Sequence, residues 1–304
     1  MFSEVIIWGW PLHSHTHSYI HNAFFRAFEH LGYKTRWMSG NTSMPDKSIA
    51  PDTLFITEGQ VDGLIPIRND CFYLTHNCDG AKYKPIPKGR HILLQVFTWD
   101  RMNDTREFDG KFIRFNGEML VMPWATDLLP HEIDENIEGL SEIISKQEAS
   151  DVLAFVGYKV EPWPQVEKYC REKRLSFLHT GGVYDGSAVS VHSNIKAVQE
   201  AAYAPAFQSE WQHEHGYIPC RIFKNISYGA VGITTNKAVN EILQPIFEYI
   251  TFRPTMTAAM DAIRNARPTF EQRVRSMEFV RDHHTYINRI NTIVRAFESI
   301  RATS

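Results

Sequence analysis

Two groups of residues in this 304-residue chain have the types and spacing to do chemistry. The first is Gly216-Tyr-Ile-Pro-Cys-Arg-Ile-Phe-Lys-Asn-Ile-Ser-Tyr-Gly229, followed by an apolar stretch at 230–235. It reads as a loop, then a helix with Pro219 at its start and Gly229 closing it. Arg221 and Lys224 fall in the first turns. A helix N-terminus offers unpaired N–H groups and a partial positive charge, which suits a diphosphate. Arginine adds a forked donor for phosphate oxygens. Residues 221 and 224 are three apart, so both can face one ligand. From spacing alone, the competing reading is a surface helix carrying two cations.

The second group is His13-Ser-His-Thr-His17, with His21 four residues further. Histidine titrates near neutrality and suits removal of a proton from a hydroxyl. His15 and His17 rank ahead of His13 for that role. His17 and His21 share a helix face, which also permits a metal. No acidic or cysteine partner is placed beside them in sequence, so no metal is expected. Polar turn residues are the third reading. Glu58 ends the run Phe55-Ile-Thr-Glu58, and His76-Asn77 ends the next one. Ligands of open parallel sheets bind at such strand C-termini. His179-Thr-Gly-Gly182 and Tyr184-Asp-Gly186 form a glycine-rich stretch that would let a ligand approach the backbone, or a plain turn.

Alternating strands and helices must position these groups. Val5-Ile-Ile-Trp8 is an apolar run typical of a strand buried on both faces. A helix over 19–31 follows, with Ile20, Ala23, Phe24, Ala27, Phe28 and Leu31 on one face and Gly32 at its end. Residues 34–38 read as a second strand, which completes a βαβ unit. Further strands are expected at 53–57, 71–75, 91–97, 112–115 and 118–122, then a polar helix at 131–146. A second α/β series starts at 152–156. It continues with a helix at 162–174, a strand at 175–178, a helix at 194–202, a strand at 204–208, the helix at 219–228, the strand at 230–235 and a helix at 237–243. From 255 onward the pattern is helical, with one long element at 269–302. That element carries Arg273, Arg275, Arg281, Arg289, Arg295 and Arg301 among acids, which reads as a solvated, ion-paired face.

Hydrophobic residues make up 43% of the chain and the net charge is −3, so no basic surface for nucleic acid is implied. Cys71, Cys78, Cys170 and Cys220 contain no C-x-x-C pair and read as reduced thiols of a cytoplasmic protein. No apolar run spans a bilayer, which leaves room only for peripheral membrane contact. G-x-G-x-x-G after the first strand, G-x-x-x-x-G-K-[ST] and G-x-S-x-G are all missing. That disfavours a dinucleotide-dependent dehydrogenase, a P-loop ATPase and an α/β-hydrolase. Asp100 and Asp104 have the wrong spacing for the D-x-D pair of metal-dependent transferases.

The loop, Pro-x-Arg-x-Phe, short helix and strand at 216–236 resemble the donor-site segment of GT-B glycosyltransferases. Phe207-Gln208-Ser209 resembles the strand and loop near the nucleobase and phosphates. Phe155-Val-Gly157 resembles the first strand and turn of the donor domain. Pro123-Trp-Ala-Thr-Asp127 is similar to the crossing segment, and 283–295 to the late helix that returns to the N-terminal domain. The resemblance implies two Rossmann-like domains facing across a cleft. The expected parts are an acceptor-side domain at 1–145, a nucleotide-sugar domain at 146–268 and a returning helical segment at 269–304. It implies a metal-independent transferase of glycan biosynthesis that moves a sugar from a nucleoside-diphosphate sugar to a hydroxyl of a glycan-type acceptor. Gly157, Gln208, Ser209, Pro219, Arg221, Lys224 and Asn236 would line the donor, and His15, His17 or Glu58 would serve catalysis. Many relatives have Glu where this chain has Lys224, and lysine cannot accept the ribose hydroxyls' hydrogen bonds. Either the ribose is held differently, or Lys224 joins Arg221 on the phosphates. A sugar-nucleotide epimerase of the same fold and a non-catalytic nucleotide- or sugar-binding protein are the alternatives. Donor sugar, base, acceptor, stereochemistry and oligomeric state are not legible.

Overall fold

The computed structural model describes residues 2–97, 104–109, 112–157, 163–182, 186 and 189–303. Asp100, Pro162, Tyr184 and Asp185 lie outside them. The chain is a mixed α/β protein that divides into two compact units, Met1–Pro123 with Tyr286–Ser304, and Trp124–Thr285.

The first unit is built on β1 (Glu4–Gly9), β2 (Thr35–Ser39), β3 (Thr53–Glu58), β4 (Phe72–His76), β5 (His91–Gln95), β6 (Arg106–Glu107), β7 (Arg114–Phe115) and β8 (Met119–Val121). They form one sheet in the order β2-β1-β3-β4-β5-β8-β7-β6. The first six are parallel, and β7 and β6 are antiparallel. β1, β3 and β4 are buried along their whole length, as continuous apolar runs covered on both faces should be. Their core packs Ile6, Trp8, Phe55, Tyr73 and Tyr83 together. The helix Thr16–His30 buries Ala23, Phe24, Ala27 and Phe28. The C-terminal helix Tyr286–Thr303 packs on it, with the Tyr286 and Phe24 rings 4.6 Å apart. Phe297 of the same helix meets Phe2 and Phe72.

The second unit contains β9 (Val152–Val156), β10 (Ser176–Thr180), β11 (Ile233–Thr234) and β12 (Thr251–Phe252). β9 pairs with β10 and β11 with β12, both parallel. The expected strand at 204–208 is reduced to a connecting stretch. Tyr203 bridges Leu153, and Ala206 N–H donates to the Ile233 carbonyl. The lateral order is β10-β9-(203–206)-β11-β12, a Rossmann-like arrangement. Leu153, Phe155, Val166, Tyr169, Phe207, Ile233 and Met260 form its core.

The sequence placed unit boundaries at 145 and 268, whereas 124–145 and 269–285 pack with the second unit. The reason lies in their ties to the helix Cys220–Ser227. Thr126 Oγ1 lies 2.7 Å from Ser227 Oγ, and Asn136 donates to the Ser227 carbonyl. The expected single helix at 269–302 is broken into Phe270–His283 and Tyr286–Thr303. At the break Thr126 N–H donates to the His284 carbonyl and Thr285 bridges Thr126.

The arginines of this segment are not all solvated, which corrects the reading of a salt-bridged surface. Arg273 is buried and reaches Gln147 and the Gly229 carbonyl. Arg289 is buried and donates to the Pro123 carbonyl at 2.7 Å, and burial pushes its guanidinium pKa down to about 10. Both work as struts that satisfy backbone carbonyls, a use of the guanidinium that helical periodicity cannot reveal. Among the described residues no helix is long and apolar enough to cross a membrane. All four cysteines are free thiols.

Candidate functional site

In the first unit the chain runs from β1 through a helix to β2 on one side, then returns to β3 on the other side of β1. Such a switch leaves a crevice beyond the carboxyl ends of β1 and β3. The residues found there are Trp10, His15, His17 and His21 after β1, Glu58 at the end of β3 and His76 at the end of β4.

Local chemistry fixes each one. His15 is the N-cap of the helix Thr16–His30, its Nδ1 accepting from the His17 backbone N–H at 3.1 Å. Ser18 Oγ accepts from His13 N–H, which holds His13 in a left-handed turn at φ 69°. Gly9 ends β1 because nothing larger fits: a Cβ there would stand 2.2 Å from His21 Nδ1. Gly59 leaves β3 under the same constraint, 2.1 Å from the Asn77 carbonyl oxygen.

Glu58 is buried, with each oxygen engaged. His17 Nδ1 lies 2.6 Å from Oε2, and the Trp10 indole N–H donates to Oε1. Burial alone would raise the carboxyl pKa. The hydrogen bond and charge of His17, aided by Trp10, outweigh it and hold the group below its ordinary value. An ionised carboxylate only accepts, so His17 Nδ1 must carry the proton that points at Oε2. Burial lowers the pKa of His21, His76 and His15. His21 Nδ1 accepts from the Trp10 backbone N–H at 3.2 Å, and burial lowers its pKa to about 3. His76 donates from Nδ1 to the Leu94 carbonyl, and burial lowers its pKa to about 4. Burial, then the neighbouring His17, lowers that of His15. The His15 ring stacks on Trp10 at 4.6 Å.

This is a histidine backed by a fixed carboxylate, the arrangement of a general base whose imidazolium form is stabilised as it appears. His15, His17 and Glu58 also have ligand atoms within 4.8 Å of one another, the spacing of a metal site. Within this group His17 Nδ1 and Glu58 Oε2 are hydrogen-bonded to each other. Sequence reasoning named His15, His17 and Glu58 separately, and the structure brings them together. It missed Trp10, whose position immediately after a buried strand was the available signal.

In the second unit the helix Cys220–Ser227 begins at Pro219, its N-cap. Arg221 is half-buried, with Nε donating to the Val156 carbonyl at 2.7 Å and one amino group to the Phe207 carbonyl at 3.0 Å. Its guanidinium carbon stands 4.2 Å from the centre of the Phe155 ring. Burial lowers its pKa from the usual arginine value. The second amino group, Nη2, lies against Gly157, 2.5 Å from where a Cβ would be, and Gly157 adopts φ 126°. Arg221 thus crosses the carboxyl end of β9, the expected place for a ligand in an open parallel sheet.

The other expected donor residues have local partners. Gln208 and Asn236 bond each other at 2.9 Å and both donate to the Tyr217 carbonyl. Asn236 and Ser209 are helix N-caps. Lys224 pairs with the buried carboxylate of Asp127 at 2.7 Å, and Tyr228 donates to the other Asp127 oxygen. Burial would neutralise this pair. Their mutual attraction prevails, raising the Lys224 pKa and lowering that of Asp127. Asp127 as the lysine's partner was missed, because ninety-seven residues separate them. His179 donates from Nε2 to the Gly157 carbonyl at 2.7 Å.

No family model matches the chain, and no curated protein does. Among solved structures it is similar to an alpha-glucosyltransferase (AGT) in complex with UDP, with a TM-score of 0.54 and 7% identity over 98% of this chain and 99% of that one. At that identity the likeness speaks for the fold alone, a Rossmann-like α/β fold.

Proposed function

We propose that the chain is a glycosyltransferase that moves a sugar from a nucleoside-diphosphate sugar to a hydroxyl of a glycan-type acceptor. The observation that carries the reading is the His17–Glu58 pair at the switch point of the first sheet. The fold likeness, and the UDP bound to that neighbour, make a uridine nucleotide the first donor to test. The proposal includes the GT-B arrangement of two Rossmann-like domains, with the acceptor held by the first and the donor by the second. The epimerase alternative draws no support from the comparison.

In the proposed reaction His17 Nε2 takes the acceptor hydroxyl's proton as its oxygen attacks the anomeric carbon. The bond from that carbon to the diphosphate breaks, and the nucleoside diphosphate leaves with the electron pair. Glu58 stabilises the imidazolium, while Trp10 holds the carboxylate in place. Arg221 Nη2 and the amides at the start of the helix Cys220–Ser227 meet the leaving charge, the electrostatic work that a metal does elsewhere. Lys224, paired with Asp127, sets the local field and orients that helix. The base assignment implies inversion at the anomeric carbon.

A thermal-shift panel of nucleoside diphosphates tests the donor site. A ligand at 100 times its Kd should stabilise the chain by about 2.7 kcal/mol, and Arg221→Ala should remove the shift. No shift with any nucleoside diphosphate, or an unchanged one in Arg221→Ala, would place the donor elsewhere.

A further inference from the structure

The helix Val191–Gln199 of the second unit opens with the Ser190 side chain capping Ser193 N–H. Asn194 follows in the first turn and is 8% exposed, yet its Oδ1 has no hydrogen-bond partner among the described residues. An unsatisfied buried acceptor loses its hydration and gains nothing, and native folds hold few of them. This one faces backbone that has been kept bare. A Cβ on Gly181 would stand 3.1 Å from Asn194 Oδ1 and 3.3 Å from the Gly157 nitrogen. Gly181 adopts φ 81° and Gly157 φ 126°. Gly157 in turn abuts Arg221 Nη2. Arg221, Gly157, Gly181 and Asn194 therefore form a continuous line across the carboxyl ends of β9 and β10. At one end is a cation, at the other an orphaned acceptor at a helix start, with two side-chain-free residues between.

We infer that Asn194 Oδ1 is the acceptor for a hydroxyl group of the nucleotide sugar, and that Gly157 and Gly181 are bare so that this part of the ligand can lie against the backbone. The inference rests on the nucleotide-sugar reading above. A carbonyl oxygen can only accept, so its complement is a donor, and a diphosphate has none at neutral pH. The hydroxyls of ribose and of the transferred sugar both qualify. In the empty protein the orphaned oxygen is a structural liability, and in the complex it becomes a contact.

The test is isothermal titration of the full chain and its Asn194→Ala and Asn194→Leu variants with UDP and with UDP-glucose, beside thermal denaturation without ligand. Removing an orphaned acceptor should leave the melting temperature of the free protein equal or higher, while the Kd rises about tenfold, the equivalent of one hydrogen bond. A loss already seen with UDP assigns the hydroxyl to ribose, and a loss seen only with UDP-glucose assigns it to the sugar. Either supports the inference. Wild-type affinity in both variants overturns it and leaves the nucleotide-sugar reading intact. A lower melting temperature in both variants with unchanged affinity makes Asn194 a structural residue and overturns it too. If the wild-type chain binds neither these ligands nor any nucleoside diphosphate of the thermal-shift panel, the nucleotide-sugar reading itself fails.

Discussion

Gly9 and His21 are fitted so closely that a methyl group on Gly9 would lie 2.2 Å from the His21 imidazole. Neither can change without the other, and between them they set the turn that carries Trp10 and His15 to Glu58. Gly9→Ala should lower stability by about 1–3 kcal/mol, the usual effect of overpacking a tight core. It should also reduce activity more than this loss explains, because the His17–Glu58 geometry shifts. Chemical denaturation beside initial rates checks both. A variant as stable as the parent would mean that His21 rotates away freely.

Acid should unfold the protein early. His21 and His76 have pKa values lowered to about 3 and about 4 by burial, against 6.5 in an unfolded chain. Below pH 6.5 the unfolded state takes up protons that the folded state refuses, so stability declines as pH falls from 6.5 toward 4. Each such group contributes a slope of about 1.4 kcal/mol per pH unit in that window. Glu58, whose pKa is also lowered, adds a further loss below the ordinary carboxylate pKa. Urea midpoints measured from pH 7.5 to 4.5 should fall steadily. A flat profile would show that these histidines protonate in place.

Breaking the Lys224–Asp127 pair should be costly. Asp127 is buried, so Lys224→Met takes the cation away from a carboxylate that Tyr228 also contacts. About 3 kcal/mol of stability should go, since removing one partner strands the other charge. Asp127→Asn in the same chain should recover part of it. If Lys224→Met is as stable as the parent but loses nucleotide affinity, the lysine serves the phosphates after all.

Much of this was legible in the residues. Val5-Ile-Ile-Trp8 and Thr53-Leu-Phe-Ile-Thr57 are apolar runs too short for helices, and they form β1 and β3, the two strands at the switch point. Pro219, Gly229 and Arg221 marked a helix whose start lies at a strand end. What failed was long-range pairing. Lys224 has no local acid, so phosphate was its natural partner until Asp127 arrived from the other end of the unit. Arg273 and Arg289 sit in a helical repeat rich in charge, and only tertiary contacts reveal that they are buried. The break at His284–Thr285 has no proline or glycine to announce it. It forms because Thr126 reaches the His284 carbonyl.

Metal independence is part of the proposal, and His15, His17 and Glu58 are the residues that would hold an ion if it fails. Transfer should survive dialysis against a chelator without loss of rate. If activity disappears and returns with one divalent ion, then His15, His17 and Glu58 form a metal site, and the imidazole is a ligand in place of a base.

The decisive experiment is steady-state transfer by His17→Ala from an α-linked nucleotide sugar, with the anomeric configuration of the product read by proton NMR. The account gives a β-linked product and a fall in kcat of about 10²- to 10⁴-fold, the range expected for loss of a positioned base, with nucleotide affinity retained. An α-linked product, or a His17→Ala enzyme that turns over at the parental rate, would contradict it.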